Sequence, residues 1–142
     1  MTPLKPTVMK FGGTSVEDAP AFERVARIVA SHRELRPVVV VSAMSGMTDA
    51  LLTSARRAAN SEPQAAISSL DQHFERHAVV AQTLLAKDEA TELVSRIQSA
   101  REEIIELLQA IAAQRKSTAA LLDIVLAYGE RLSSALLTAA ST

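Results

Sequence analysis

Residues 8–16 read VMKFGGTSV, and this stretch constrains the fold more than any other in the chain. A short apolar strand carries Lys10 into the pair Gly12-Gly13, and Thr14 and Ser15 then open a helix. Neither glycine has a Cβ, so a bulky anion can approach their backbone N–H groups closely. The helix that follows is expected to aim its positive dipole end and its unpaired N–H groups at the same spot. Lys10 adds a mobile point charge. Together these groups make a candidate phosphate cradle. It differs from a P-loop, in which the lysine follows the last glycine; here the lysine precedes the pair.

A second strand, loop and helix follow. Residues 17–35 read as a helix, because Phe22, Val25, Ala26, Ile28 and Val29 recur at spacings of three and four. Glu17 and Asp18 fall in its expected first turn, where acidic side chains suit the dipole; Pro20 is tolerated if it lies in that turn and would kink the helix otherwise. Pro37 ends that segment and Val38-Val39-Val40-Val41 begins the next strand. Four β-branched residues in a row, apolar on both faces, predict a buried parallel strand. Strand, helix and strand make a βαβ unit with a right-handed crossover. Residues 42–46, SAMSG, form the next loop. Thr48 or a close neighbour is expected to cap a helix running to about Asn60, with Asp49 in its first turn.

Beyond Glu62 no strand is expected. Helical spacing predicts helices over 63–86, 88–114 and 118–140, the last interrupted near Gly129. Glu92 and Arg96 stand at i,i+4 in the favourable order on the second of these. Aromatic residues are only 3% with no Trp, while Ala and Leu crowd the later part of the chain, which favours closely packed helices. At 142 residues the chain is one domain by size. The class expected is α/β, a βαβ unit with parallel strands beside a large helical subregion.

A formal net charge of -1 gives no electrostatic case for nucleic acid or an acidic membrane surface as partner. The absence of cysteine removes disulfides, thiol catalysis and thiolate metal sites. The start of the chain, through Pro6, is too short and polar for a leader, and the apolar run around Val38 is far short of the ~20 residues that span a bilayer. A cytoplasmic protein is the default expectation. His73 and His77 stand four apart around Glu75, but the order is not that of the zinc-binding HExxH helix, and the pair reads as core or surface histidines. Glu102, Glu103 and Glu106 read as a wet helix face, and Met44 and Met47 as packing or pocket-wall residues.

The two strand-ending loops lie at the C-terminal edge of the expected parallel sheet, where open α/β folds bind ligands. A phosphate cradle beside a hydroxyl-rich loop suits phosphoryl transfer to a small polar acceptor, chemistry that is mostly positioning and charge stabilisation.

At this point the sequence resembles a known family. KFGGTSV is similar to the opening motif of aspartate kinases, members of the amino-acid kinase family. The stretch from Val40 through Ser42 to Thr48 resembles their VVSAxxGxT pattern, and Tyr128 to Ser134, YGERLSS, resembles their GERLS motif. The resemblance implies an amino-acid-kinase-like three-layer αβα fold, here partial. It implies transfer of the γ-phosphoryl of ATP, with Mg²⁺ carried by the nucleotide, to the β-carboxylate of L-aspartate. The product would be 4-phospho-L-aspartate, at the first step of lysine, threonine and methionine biosynthesis. By the same resemblance Lys10 engages the nucleotide phosphates and the transferred group. Gly12, Gly13, Thr14 and Ser15 complete the phosphate site. Thr48 contacts aspartate, Ser42 borders that pocket, and Glu130 helps bind aspartate through its ammonium group. No metal site built from protein side chains is implied.

A kinase domain of this family continues well beyond the position of Thr142. The expectation is therefore that residues 1–142 form the amino-terminal, aspartate-side part of such a domain, without the nucleotide-binding half or regulatory domains, and are inactive alone. Helix faces that include Leu132, Leu136 and Leu137 are then expected to lack a partner, favouring self-association or a homo-oligomer. The alternative function is a catalytically inactive truncated form acting as a binding or assembly module.

Overall fold

The computed structural model describes residues 5–142, and most of the polar start of the chain lies outside the described residues. Two strands, β1 (Val8–Phe11) and β2 (Val38–Val41), pair in parallel with Val8 opposite Val38 and Lys10 opposite Val40. The helix α1 (Ala19–Ala30) connects them. Five helices follow: α2 (Met47–Ala59), α3 (Pro63–Ser68), α4 (Asp71–Leu84), α5 (Lys87–Gln114) and α6 (Ala119–Ala140). The expected α/β class with a helical subregion is the one observed.

Several boundaries differ from expectation for local reasons. The helix read over 17–35 ends at Ala30, where the Ser31 hydroxyl donates to the Ile28 carbonyl at 2.8 Å. A 3-10 turn, Arg33–Leu35, and Arg36 in the left-handed region then lead into β2. The helix read over 63–86 is two helices. Ser69 turns its hydroxyl back onto the Ala66 carbonyl at 2.7 Å, the local competition that makes serine a helix breaker. Leu70, between the two helices, is buried. The expected interruption of the last helix is absent, and α6 runs unbroken through Gly129. Glu92 and Arg96 form no ion pair; Arg101 of α5 instead reaches Asp71 of α4 at 2.9 Å.

The core lies among the helices. Leu93, Ile97, Ile104, Leu108 and Ile111 of α5 recur at spacings of three, four and seven and are buried, with Phe22 of α1, Leu51 of α2 and Val125 of α6 in the same cluster. Met44 and Met47 are buried there too, as packing residues. Leu132, Leu136 and Leu137, expected to lack a partner, are buried in this cluster. Three valines of the sheet are among the exposed apolar residues. Val8, Val38 and Val40 are 63%, 52% and 45% exposed, so β2 is not buried on both faces. The two strands present one face to the helices through Phe11, Val39 and Val41. The other face, which carries Lys10, has no layer over it among the described residues.

His77 is a core residue, as is usual for a histidine on the inner face of a helix. Its Nδ1 lies 2.6 Å from the His73 carbonyl, which can only accept, so Nδ1 carries the proton. Its buried Nε2 has no hydrogen-bond partner. Burial, the largest cause, lowers its pKa to about 4, with Arg76 and His73 adding to the effect against the carbonyl contact. The unfolded chain therefore takes up a proton that the folded chain refuses. Stability contributed by neutral His77 is complete above the ordinary histidine range and falls as pH drops toward 4, by an amount on the order of 3 kcal/mol. Chemical denaturation between pH 7 and 4 is expected to show this loss. His77→Gln, which does not titrate, is expected to flatten the slope; an unchanged slope would assign the acid sensitivity elsewhere.

Candidate functional site

The two loops at the ends of β1 and β2 lie side by side. The Ser42 amide donates to the Phe11 carbonyl at 3.0 Å, so the loops leave the sheet together. Gly13 then packs on the second loop: a Cβ there would stand 3.3 Å from the Ala43 carbonyl oxygen. Gly12 differs, since a Cβ on it would meet nothing within 4 Å. The first glycine thus leaves open space beside the backbone, and the second permits a close approach of two loops.

The Gly13–Val16 segment is a single 3-10 turn, and α1 begins only at Ala19. The expected α-helix N-terminus directed at the cradle is therefore not formed by α1. Asp18 caps that helix, accepting a bond from the Ala21 amide at 2.9 Å, so its carboxylate already occupies the place an anion would take. The open helix end is that of α2. Its N-cap is Gly46, at φ 84, and no side chain caps it. Thr48 does not cap α2 either; it stands exposed in the first turn beside Asp49. The first-turn amides of α2 have no partner within the helix and carry its positive dipole end.

A pocket of about 360 Å³ lies at this junction, lined by Gly13, Thr14, Ser42, Ser45, Gly46 and Thr48, with Ala43, Met44 and Asp49 completing its wall. Four of the eight predicted site residues therefore meet there: Gly13, Thr14, Ser42 and Thr48. Lys10, Gly12 and Ser15 do not line it. Lys10 stands exposed in β1, opposite Val40, with no carboxylate in salt-bridge reach among the described residues. The Ser15 amide closes the 3-10 turn onto the Gly12 carbonyl at 3.0 Å.

Glu130 lies elsewhere, in a larger groove of about 760 Å³ between β2, α5 and α6. That groove also holds Val40, Glu103, Tyr128 and Arg131. The Tyr128 hydroxyl donates to the Glu103 carboxylate, and Arg131 lies over the Tyr128 ring at 4.6 Å. Glu103 is thus a tie between α5 and α6 rather than part of a purely wet face. Burial, then the Glu103 carboxylate, raises the Tyr128 pKa. The groove and the loop pocket adjoin at the consecutive residues Val41 and Ser42. Val39, Val40 and Val41, which alternate between the two faces of the sheet, all line the groove, so it runs along the edge of β2.

Two residues outside the predicted site set hold the site in shape. Gly129 of α6 sits against the second loop, where a Cβ would come within 2.7 Å of the Ala43 Cβ. Arg76 of α4 donates to the Ser45 carbonyl at 2.9 Å and to the Glu17 carbonyl at 3.2 Å, so it touches both loop segments. Gly129 was signalled as the glycine of the YGERLSS stretch and as a glycine within an apolar helical pattern, whereas Arg76 had no sequence signal.

The model of the amino acid kinase family matches residues 5–142, essentially all of the described chain. The chain belongs to the amino acid kinase family. As an amino acid kinase it resembles the amino-terminal region of aspartokinases. The bifunctional aspartokinase/homoserine dehydrogenase 2 of Arabidopsis thaliana, a chloroplastic protein, is 30% identical over 132 residues, which is 93% of this chain and 14% of that protein. The chloroplastic aspartokinase 2 of Arabidopsis thaliana is 47% identical over 51 residues, 36% of this chain and 9% of that protein. The crystal structure of E. coli aspartokinase III in complex with aspartate and ADP superposes with a TM-score of 0.82 at 31% identity, covering 96% of this chain and 28% of that one. The lysine- and aspartate-bound form of the same enzyme gives 0.81. The chain thus spans roughly a seventh of the bifunctional relatives' length and under a third of the solved structure. Among the described residues, no helix of this family member is long and apolar enough to cross a membrane.

Replacing Gly129 with alanine is expected to force α6 and the second loop apart. The overpacking costs ~1–3 kcal/mol, against ~1 kcal/mol gained from better helix propensity. Urea denaturation is expected to show a net loss in Gly129→Ala and partial recovery in the double variant with Ala43→Gly. Equal stability of Gly129→Ala and the parent chain would mean the contact is loose.

Proposed function

We propose that this chain is the aspartate-side part of an aspartate kinase, and that the pocket between its two loops takes the amino-acid substrate. The observation that carries the reading is the meeting of Thr14, Ser42 and Thr48 around the uncapped N-terminus of α2. Hydroxyls and free helical amides form a small polar pocket suited to a carboxylate. The solved aspartokinase III structure it superposes on holds aspartate and ADP.

In this reading Thr48 and the α2 amides hold a carboxylate of L-aspartate. Glu130, across Val41 and Ser42, pairs with its ammonium group. Lys10, with no competing carboxylate, meets phosphate at the open face of the sheet, and the exposed Gly12 backbone allows that group to come close. The β-carboxylate oxygen attacks the γ-phosphorus of ATP, a new P–O bond forms, and the bond to the β-phosphate bridging oxygen breaks to leave ADP. Lys10, the Gly13 amide and Ser15 stabilise the charge on the transferred group. In this reading Mg²⁺ is carried by the nucleotide phosphates. The product is 4-phospho-L-aspartate, for lysine, threonine and methionine synthesis, in the cytoplasm. Phosphoryl transfer itself is proposed for the protein to which this region contributes its substrate side.

Calorimetric titration tests the assignment. Thr48→Val and Glu130→Gln are each expected to weaken L-aspartate binding by about tenfold or more, as loss of a charge-assisted contact should. Succinate, which lacks the ammonium group, is expected to bind Glu130→Gln and the parent chain alike. Lys10→Ala is expected to spare aspartate binding and to abolish turnover in the complete enzyme. Unchanged aspartate affinity in both pocket variants would remove the reading.

A further inference from the structure

The approach of the two loops is not secured by the sheet alone. Beyond the Ser42-to-Phe11 bond, the chain of the second loop turns through Gly46 at φ 84 into α2, a conformation with no bond from a capping side chain to hold it. Arg76 comes from α4, 31 residues later than Ser45 and 59 later than Glu17. One guanidinium nitrogen, Nη1, meets the Ser45 carbonyl at 2.9 Å, and the other, Nη2, meets the Glu17 carbonyl at 3.2 Å. Nη1 also lies 3.3 Å from His73 Nδ1, which must accept because a guanidinium only donates. Gly46 fits under this group: a Cβ there would stand 3.7 Å from the His73 ring and 3.8 Å from Arg76 Nη1.

We infer that Arg76 is a positioning residue, a planar clamp that holds the Ser45 turn against the end of the first loop and so sets where Thr48 and the α2 amides stand. The inference rests on the reading that the loop pocket takes aspartate. Arg76 does not line the pocket, so it acts through the backbone rather than on the substrate. Two properties suit arginine to the task. Its fork reaches two carbonyls in fixed geometry, which a lysine ammonium on one flexible stem does not. Its charge also strengthens each bond to a carbonyl oxygen without needing a carboxylate partner. Glu17 and Ser45 lie six and four residues beyond the ends of β1 and β2, just before α1 and α2 begin. A clamp there ties the two loop segments together close to where both helices start.

Amide hydrogen exchange and aspartate titration on Arg76→Lys and Arg76→Ala test this. The clamp predicts exchange faster by about tenfold or more at 13–17 and 44–48 in both variants, with the buried amides of α5 and α6 unchanged. It predicts weaker aspartate binding in the same order, Arg76→Ala below Arg76→Lys. Arg76→Lys guards against a folding defect in the alanine variant. Uniformly faster exchange across α5 and α6 that tracks a lower melting temperature would overturn the inference, leaving Arg76 a stabilising residue only. Unchanged loops and unchanged affinity in both variants would overturn it as well. Loosened loops in the variants together with no aspartate binding by the parent chain would support the clamp and reject the aspartate reading, so the two failures are distinct.

Discussion

The backbone around Ala43 is gripped from two sides, and most of the site's geometry follows from that grip. Gly13 of the first loop presses on its carbonyl, and Gly129 of α6 presses on its Cβ. Each contact exists because a side chain is missing. The loop after β2 therefore cannot move toward β1 or toward α6, and the turn through Gly46 into α2 starts from a fixed point. Close packing makes such a contact unforgiving, because a few tenths of an ångström on either side have no space to go. The motif glycines thus have different tasks: Gly12 leaves room for a ligand, Gly13 and Gly129 leave room for protein.

Electrostatics divide the same region. The positive end of α1 is spent on its own cap, Asp18, while the positive end of α2 is left open at the pocket. Lys10 and Glu130 stand apart from the pocket, Lys10 on the open face of the sheet and Glu130 in the groove between β2, α5 and α6. In the proposed reading, a substrate that bridges these points carries a carboxylate at one end and an ammonium group near the other, with phosphate meeting Lys10. The exposed valines beside Lys10 place that meeting point on a bare apolar strip.

Much of this was legible in the sequence. The strand ending in Lys10-Phe11-Gly12-Gly13, the valine strand and the long apolar periodicities gave the βαβ unit and the helical layer, because strand and helix periods are local properties. Burial was less legible. Val38 to Val41 read as covered on both faces, but cover depends on which elements reach a strand, and helices reach only one face here. The same reasoning misplaced the bare surface on Leu132, Leu136 and Leu137, which α6 buries. Capping was misread where two candidates competed: Asp18 lay one residue before its helix rather than in it, and Thr48 lay two residues past the glycine that begins its helix. Arg76 carried no local signal, since its partners are backbone carbonyls far away in sequence.

The central claim is that the two loops form an aspartate pocket around the N-terminus of α2. Nuclear magnetic resonance titration of the isotopically labelled chain with L-aspartate tests it most directly. The account predicts saturable shifts at the amides of Gly13, Thr14, Ser42 and Gly46 through Asp49, with a weaker response near Glu130, and none along α5. Shifts centred elsewhere, or no shifts at saturating aspartate in a folded chain, would contradict it.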